Sequence, residues 1–337
     1  MSIIVKIDNI DLLAWDGLVK TSPVATWFQT QEAYSFFDNL PFLEAFALGV
    51  VNDRRLKGVI VGYIQKDGGK LKSFLSRRAI VLGGPLLADT ITEAELTTLL
   101  KSVCQHVKKR AIYLEMRNFN DYGPWKKCFE AAGFVYEPHY DIIVDTSTME
   151  RVNDNLGKSR KRDIRVSFRD GATMVTKPTL DQIKDYYLIL SDLYKNKVKT
   201  PLFPLAFFES LYLLPSSVFL LVDYNGQIVG GTVCVGLQNK ALYEMYACGK
   251  DGIYKNIFPS EMATFSGLQY AAENGFLRFD MMGAGKPGDG GYGVRDFKLK
   301  FGGELLELGR FSFVFNPFLY AVGRLGVQLM KKLNLGI

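Results

Sequence analysis

Two lysines lie among aromatic and apolar residues near the end of the chain, in the sequence FKLKFGG at residues 297–303. A buried strand would not accommodate Lys298 and Lys300, whereas a helix can turn the two phenylalanines, which are one turn apart, into a core. Residues 283–293 precede this helix and are rich in glycine. Because small residues let a substrate backbone approach closely, this segment is a candidate site.

A lysine at such a cleft would stabilise the oxyanion that forms when an amine attacks an ester or thioester carbonyl. The alternative is an amphipathic helix with a solvated basic edge. Proton acceptors are few: Asp280 ends a short apolar strand, and Glu244 lies on the strand ALYEMYA. Strand alternation places Glu244 and Tyr246 on one face. A buried carboxylate is costly unless it is paired, so Glu244 either pairs with a nearby cation or takes the amine proton.

We therefore predict that the catalytic group includes Glu244 and Asp280 together with one of the lysines. We expect substrate contacts on and around the glycine-rich segment, from Tyr246, Gly283, Gly285, Tyr292, Arg295 and Lys300.

Basic residues cluster between residues 151 and 169, a segment that contains seven lysines and arginines but only two aspartates. Such a cluster attracts polyanions, which include phosphorylated precursors, tRNA and anionic lipid headgroups; the alternative is a solvated helix face. Lys197 and Lys199 lie between a predicted helix and a proline-bounded turn, which suits phosphate contact. Within these segments we predict phosphate contacts from Arg160, Lys161, Lys197 and Lys199.

The length of 337 residues favours two domains. Composition is ordinary for a globular protein, with 48% hydrophobic and 23% charged residues and a net charge of +6. The N-terminus carries charges throughout and resembles no signal peptide, so we expect a cytoplasmic protein that can work at the inner face of the membrane. Four scattered cysteines and two histidines make a metal site or a histidine-based triad unexpected.

The chain repeats one pattern of elements. Hairpin signals occur at residues 45–65 and 217–237, and helices that end in glycine precede strands at 125–145 and 294–314. Two copies of one unit explain this order, and they predict an α+β fold with mostly antiparallel sheets flanked by helices. We place the domains at residues 1–148 and 149–337. The second ends in an amphipathic helix from Pro317 that either packs on the domains or lies on a membrane surface.

Four motifs carry a resemblance to a known family: FQTQE at 28–32, GGP at 83–85, the basic segment NLGKSRKRDIR at 155–165, and FKLKFGGE at 297–304. In this order they resemble the FemABX family, the peptidoglycan interpeptide-bridge aminoacyltransferases, whose fold is two tandem GNAT (acyl-CoA N-acyltransferase-like) domains. The resemblance singles out Lys298 as the catalytic lysine. It implies a transferase that moves an aminoacyl or acyl group onto an amine of a cell-envelope precursor.

GNAT enzymes that use acyl-CoA carry a glycine-rich loop whose amides hold the pyrophosphate at a helix N-terminus. The corresponding positions, 84–90 and 250–259, have no such loop. We therefore expect no cofactor and, instead of CoA, an aminoacyl-tRNA or another activated acyl donor. Two alternatives stay open: an acyltransferase with an exopolysaccharide or lipid acceptor and an acyl-carrier protein or CoA donor, and a non-catalytic binding module.

Overall fold

The structure is a computed structural model that describes residues 2–65, 77–289 and 293–332, with side chains up to Gly326. Its α-helices are α1 (Leu12–Thr21), α2 (Gln31–Asp38), α3 (Glu93–Val107), α4 (Lys126–Ala131), α5 (Met149–Asn155), α6 (Lys158–Arg169), α7 (Leu180–Leu193), α8 (Leu205–Tyr212), α9 (Pro259–Glu273), α10 (Gly293–Leu299) and α11 (Pro317–Lys332). Its strands are β1 (Ile3–Lys6), β2 (Leu43–Asn52), β3 (Arg55–Gln65), β4 (Arg78–Leu82), β5 (Leu86–Leu87), β6 (Tyr113–Arg117), β7 (Val135–Glu137), β8 (Tyr140–Asp145), β9 (Thr173–Val175), β10 (Ser217–Tyr224), β11 (Gln227–Gly236), β12 (Ala241–Gly249), β13 (Arg278–Asp280), β14 (Glu304–Glu307) and β15 (Arg310–Val314).

The strands form two sheets of the same plan. One sheet has the order β1-β2-β3-β4-β6-β15-β7, with β5 paired to β3, and the other has the order β9-β10-β11-β12-β13-β8-β14. Each contains one parallel pair, β4 with β6 and β12 with β13. The predicted α+β class and the internal repeat are confirmed. The hairpin predicted at Asn225-Gly226 is present, with both residues at positive φ.

The chain divides into two compact units at positions that differ from the predicted boundary between residues 148 and 149. One unit comprises Met1–His139 and Glu307–Leu329, and the other comprises Tyr140–Leu306 and Met330–Ile337. Strand pairing explains the difference. β8 joins the second sheet beside β13, while β15 returns to the first sheet between β6 and β7.

Each unit has its own core. In the first, α3 and α4 cover the sheet, and Phe129 of α4 stacks on Phe311 of β15 with ring centroids 3.8 Å apart. In the second, the core includes Ile142 and Val144 of β8, Leu268 of α9 and the fully buried Phe301 that follows α10. The residues just beyond α10 are therefore fixed by packing, which positions the lysine-bearing helix.

Candidate active site

The candidate site lies in the second unit, where β12 and β13 separate. Their parallel pairing covers only three residues of each strand, from Ala241–Arg278 to Tyr243–Asp280. β12 continues to Gly249, whereas β13 ends and the chain turns away at Met282, which has a left-handed φ of 48°. Among the described residues, no strand pairs with this side of β12 beyond Tyr243. The backbone of β12 therefore forms an open edge.

A bulge in β12 separates two residues that were predicted to share a face. Cys234 of β11 pairs with Glu244 and the preceding Val233 pairs with Tyr246, so Met245 is the extra residue. Glu244 consequently faces the side of Thr232, whose hydroxyl is 3.4 Å from the carboxyl. Tyr246 lies on the opposite face, where its ring is 5.0 Å from that of Phe208. The prediction that Glu244 and Tyr246 share a face is wrong.

Lys298 projects from α10 towards the end of β13. Its ammonium donates hydrogen bonds to the main-chain oxygens of Met281 and Met282, and to that of Gly283 at 3.0 Å. An ammonium has three N–H groups, so these carbonyls occupy all of them. Burial lowers the pKa of Lys298, while nearby carboxyl groups act in the opposite direction. Lys298 thus holds the segment that follows β13 and brings a positive charge to the open edge.

Three acidic side chains interact electrostatically with this ammonium: Glu244, Asp141 and Asp280. Glu244 is 6% exposed, and burial raises its pKa, with Lys298 acting in the opposite direction. Asp280 is 1% exposed, and its Oδ1 accepts a hydrogen bond from the Met282 N–H at 2.8 Å. Burial, followed by the neighbouring Asp141 carboxyl, raises the pKa of Asp280 well above its ordinary value. The raised pKa values mean that both carboxyl groups retain a proton to a higher pH than exposed carboxyl groups do.

Asp141 was not predicted. It lies on β8, is 4% exposed, and accepts a hydrogen bond from the Ile142 N–H at 2.8 Å. Within the described part of the chain, Asp280 Oδ2 receives no hydrogen bond from an N–H or hydroxyl group, and a proton shared with the neighbouring Asp141 carboxyl would satisfy it. The sequence carried a usable signal, because Asp141 is a carboxylate in the apolar strand YDIIVD, and the same argument had selected Glu244.

The segment after β13 is held from a second direction. Arg295 donates hydrogen bonds to the carbonyls of Ala284, at 2.8 Å, and Lys286, at 2.7 Å, and its guanidinium lies 4.9 Å from the Tyr140 ring. Gly285 also accepts a hydrogen bond from the Tyr140 N–H. Arg295 and Gly285, predicted as substrate contacts, therefore support the loop. Gly283 is adjacent to Lys298, with a φ of 20°, whereas Tyr292 lies outside the described residues.

Arg160 has a different place from the one predicted. It is 6% exposed, pairs with Glu261 of α9 at 2.7 Å and with Asp163 at 3.6 Å, and its guanidinium lies 4.7 Å from the Phe297 ring. A buried and paired guanidinium is not free to bind a phosphate, so this prediction is corrected. Lys161 is exposed on the same helix, and its contact with a polyanion stays a prediction.

The other predicted contact residues lie in two places. Lys300 lies beside the N-terminus of α6, and the segment with Lys197 and Lys199 lies near Tyr246 of β12. The Lys300 side chain is exposed, and its carbonyl accepts a hydrogen bond from the Gly157 N–H at 2.9 Å. Lys197 belongs to a π-helical turn, Tyr194–Val198, and Lys199 follows it with a left-handed φ of 54°. Tyr194 at the start of this turn is 6.0 Å from the Tyr246 ring. Turns of this type are frequent at functional sites.

The N-terminus of α9 is closed by an acidic side chain. Asp251 accepts hydrogen bonds from the backbone N–H of Ser260, at 3.0 Å, and from the Ser260 hydroxyl, at 2.5 Å. Pro259 at the first helical position has no N–H to offer. A carboxylate therefore occupies the position at which a pyrophosphate would meet this helix.

Comparisons with known proteins identify a family resemblance and a shared fold. Residues 222–326 match the sequence model of the FemAB family. A search of curated proteins found no match. The crystal structure of FemX is similar over 96% of this chain and 99% of that chain, with 14% identity and a TM-score of 0.71.

Two further solved structures share the fold. A tandem GNAT protein from the clavulanic acid biosynthesis pathway has 12% identity and a TM-score of 0.58 over 94% of this chain and 99% of that chain. The C-terminal domain of a putative lysylphosphatidylglycerol synthetase from Agrobacterium fabrum has 15% identity and a TM-score of 0.54 over 81% of this chain and 86% of that chain.

The fold is that of a tandem GNAT protein, with two units of one plan. The predicted resemblance to the FemABX family is confirmed: residues 222–326 match the FemAB family model, and the chain shares the fold of FemX.

Proposed function

We propose that the second unit transfers an aminoacyl group from the ester of an aminoacyl-tRNA to an amine of a peptidoglycan precursor. The observation that carries the proposal is the Lys298 ammonium at the open edge of β12, beside the buried carboxyl groups of Glu244 and Asp280. An ester that lies along this edge has a cation on one side and proton acceptors within the same cluster.

The reaction needs alignment, charge stabilisation and one proton acceptor. The acceptor nitrogen attacks the ester carbonyl, a C–N bond forms, and the carbonyl oxygen becomes an oxyanion. Lys298 supplies positive charge for that oxygen. Glu244, or the Asp280–Asp141 pair, takes the proton that nitrogen loses. The bond between the carbonyl carbon and the ribose oxygen then breaks as the oxyanion returns to a carbonyl, and the ribose oxygen takes the proton held by the carboxyl group.

In this proposal Lys298 also holds the loop that follows β13. Because its three N–H groups hold residues 281–283, a direct hydrogen bond to the oxyanion requires that one carbonyl be exchanged. Until then, the ammonium keeps the loop in place and acts through its field in a poorly solvated site.

The donor proposal is supported by the N-terminus of α9. The Asp251 carboxylate already binds the Ser260 N–H and hydroxyl there, and it would repel a pyrophosphate. These residues do not fit CoA held in the way usual for GNAT enzymes. A donor esterified to RNA does not need that position.

Turnover with charged tRNA and a peptidoglycan precursor tests the function, with Lys298→Met as the variant. We expect kcat to fall by about 10²–10³, the loss typical of a missing oxyanion donor. Lys184→Met is the control, because Lys184 is exposed on α7 and pairs only with Asp181 in the described contacts. Thermal unfolding of each variant monitors the fold. Turnover by Lys298→Met within threefold of the wild type, or turnover with acetyl-CoA and none with charged tRNA, would refute the proposal.

We also propose that the protein works at a membrane surface. None of the described helices is long and apolar enough to cross a bilayer. On α11, however, Phe318, Val322 and Leu325 are 74%, 38% and 59% exposed and follow helical spacing, while Tyr320 packs against Tyr113. The similarity to a putative lysylphosphatidylglycerol synthetase favours an acceptor at a lipid surface as a second candidate.

Vesicle flotation tests this surface contact. Phosphatidylglycerol vesicles should carry the protein, and Phe318→Glu should reduce the bound fraction several-fold, because a charge on the apolar stripe is costly to insert. Equal flotation of the variant and the wild type would exclude α11 as the contact.

A further inference from the structure

Helix α6 has two chemically distinct faces. Its buried face carries Arg160, Asp163, Ile164 and Ser167. Its exposed face carries cations at positions 158, 161, 162, 165 and 169, which an α-helix places within one narrow stripe. We call these five residues (Lys158, Lys161, Arg162, Arg165 and Arg169) the basic stripe. At about 1.5 Å per residue, it extends roughly 16 Å along the helix.

Few acidic groups neutralise the basic stripe. The one acid within α6 is Asp163, whose side chain is 7% exposed. It pairs with Arg160 on the buried face and with Arg162 of the stripe, whose guanidinium nitrogen is 2.8 Å from its carboxyl oxygen. Arg169 pairs with Asp170 at the other end. The middle of the stripe, at Lys161 and Arg165, therefore presents uncompensated charge to solvent, apart from any contact with residues outside the described parts of the chain.

The basic stripe starts at the candidate site. Gly157, which precedes Lys158, donates its N–H to the carbonyl of Lys300 at 2.9 Å. On the buried face of α6, the Arg160 guanidinium lies over the rings of Phe297 and Phe301, which flank Lys298 in the chain. A polyanion that follows the stripe towards the N-terminus of α6 thus arrives at the end of α10.

We propose that the basic stripe binds the phosphate backbone of the RNA that carries the transferred group, and so directs its acylated end to Lys298. The proposal rests on the proposed function, because it assumes an RNA-linked donor. A row of cations spaced by about one helical turn matches a chain of regularly spaced phosphates. Phe168, 42% exposed beside the stripe, offers a surface on which a base can stack. A lipid surface would instead require a broad apolar face.

Binding of uncharged tRNA to the full-length protein tests the stripe, measured over a series of salt concentrations. The variant is Lys161→Gln with Arg165→Gln. Its matched control is Lys108→Gln with Lys109→Gln, which removes the same charge from exposed positions after α3 in the first unit. We expect about tenfold weaker binding for the stripe variant, and a salt dependence whose slope falls by about 0.7–0.9 per lost phosphate contact. The control should bind as the wild type does.

A second measurement separates failure of this inference from failure of the proposed function. Turnover is compared between charged tRNA and a short aminoacylated dinucleotide that cannot reach the stripe. The stripe variant should lose activity with tRNA and keep it with the dinucleotide. Equal loss with both donors, or tRNA affinity equal to that of the wild type and control, would overturn the assignment of the stripe. Absence of turnover with either donor in the wild type would overturn the proposed function instead.

Discussion

Replacing Arg160 with methionine should destabilise the second unit, and the loss should depend on pH. The guanidinium side chain is 8% exposed, and it pairs with Glu261, whose side chain is 13% exposed, at 2.7 Å. It also lies 4.7 Å and 5.4 Å from the rings of Phe297 and Phe301. Removing one partner of a buried ion pair typically costs about 3–5 kcal/mol, because the other charge remains buried.

Protonation of Glu261 limits this cost. Burial already raises the pKa of Glu261, with Arg160 acting in the opposite direction, so removal of Arg160 should raise it further. Each pH unit is worth about 1.4 kcal/mol, so keeping a carboxyl of ordinary pKa protonated at pH 7 costs at most about 3.4 kcal/mol. Asp163 keeps its partner Arg162. We therefore expect a loss of about 3 kcal/mol at pH 7.

The sign of the pH dependence follows from the raised pKa. A carboxyl with a raised pKa in the folded state stabilises the fold fully below its unfolded pKa and loses that contribution as pH rises through the folded pKa. The deficit of Arg160→Met should therefore shrink to about 1 kcal/mol near pH 4.5, where only packing and cation–π contacts are lost. Urea unfolding at pH 4.5 and pH 7 measures both values.

Arg162→Met is the matched control. This variant also removes a cation of α6 that pairs with Asp163, but the Arg162 side chain is 67% exposed. We therefore expect the free energy of unfolding to fall by less than about 1 kcal/mol. The reasoning is refuted if Arg160→Met costs less than 1 kcal/mol at pH 7, if its cost does not change with pH, or if both variants cost the same. Because Phe297 precedes Lys298, the folded Arg160→Met protein should also have a lower kcat, with a smaller change in KM.

Two further predictions follow from the described contacts. Burial raises the pKa of Glu244, so the wild-type kcat/KM should rise with pH through an apparent pKa above the ordinary 4.5. Glu244→Gln should lower the maximum rate and shift the midpoint of that rise, and a variant with the wild-type rate and midpoint would exclude Glu244 as the proton acceptor. Gly302→Ala should lower the free energy of unfolding in urea by more than about 2 kcal/mol, since the added Cβ would lie 2.2 Å from the Asn155 carbonyl oxygen. The control is Gly226→Ala, because Gly226 also has a positive φ but has open space around it, and it should cost about 1 kcal/mol. Equal losses would contradict the steric argument.

The repeat and most elements were predictable because their signals are local. Hairpin dipeptides, helix-closing glycines and the spacing between matching segments depend only on neighbouring residues. The sheets that β8 and β15 join were not predictable from local signals: β8 pairs in the second sheet and β15 in the first. Both are short apolar strands, and nothing within either sequence distinguishes pairing with β13 from pairing with β6. Their positions depend on tertiary packing.

Errors within the site have equally specific causes. The bulge at Met245 adds one residue and reverses the alternation beyond it, so a strict period of two placed Tyr246 on the wrong face. Arg160 looked like any member of a basic run, because its partner Glu261 is 101 residues away. Helical spacing alone would have grouped Arg160 with the apolar Ile164, and this grouping was the available sign that one cation of the run is buried.

The charge balance around Lys298 explains how a half-buried lysine persists and what it can contribute. One ammonium cannot neutralise Glu244, Asp280 and Asp141 together, and excess buried charge is costly. Charge balance therefore favours an additional proton on this group, in the same direction as the raised pKa values of Glu244 and Asp280. An ionised member of the group can accept the proton that an attacking amine releases, without a path to bulk solvent. Because the carboxyls interact, the pH dependence of the reaction should belong to the whole group, and replacement of any one member should shift the apparent pKa of the others.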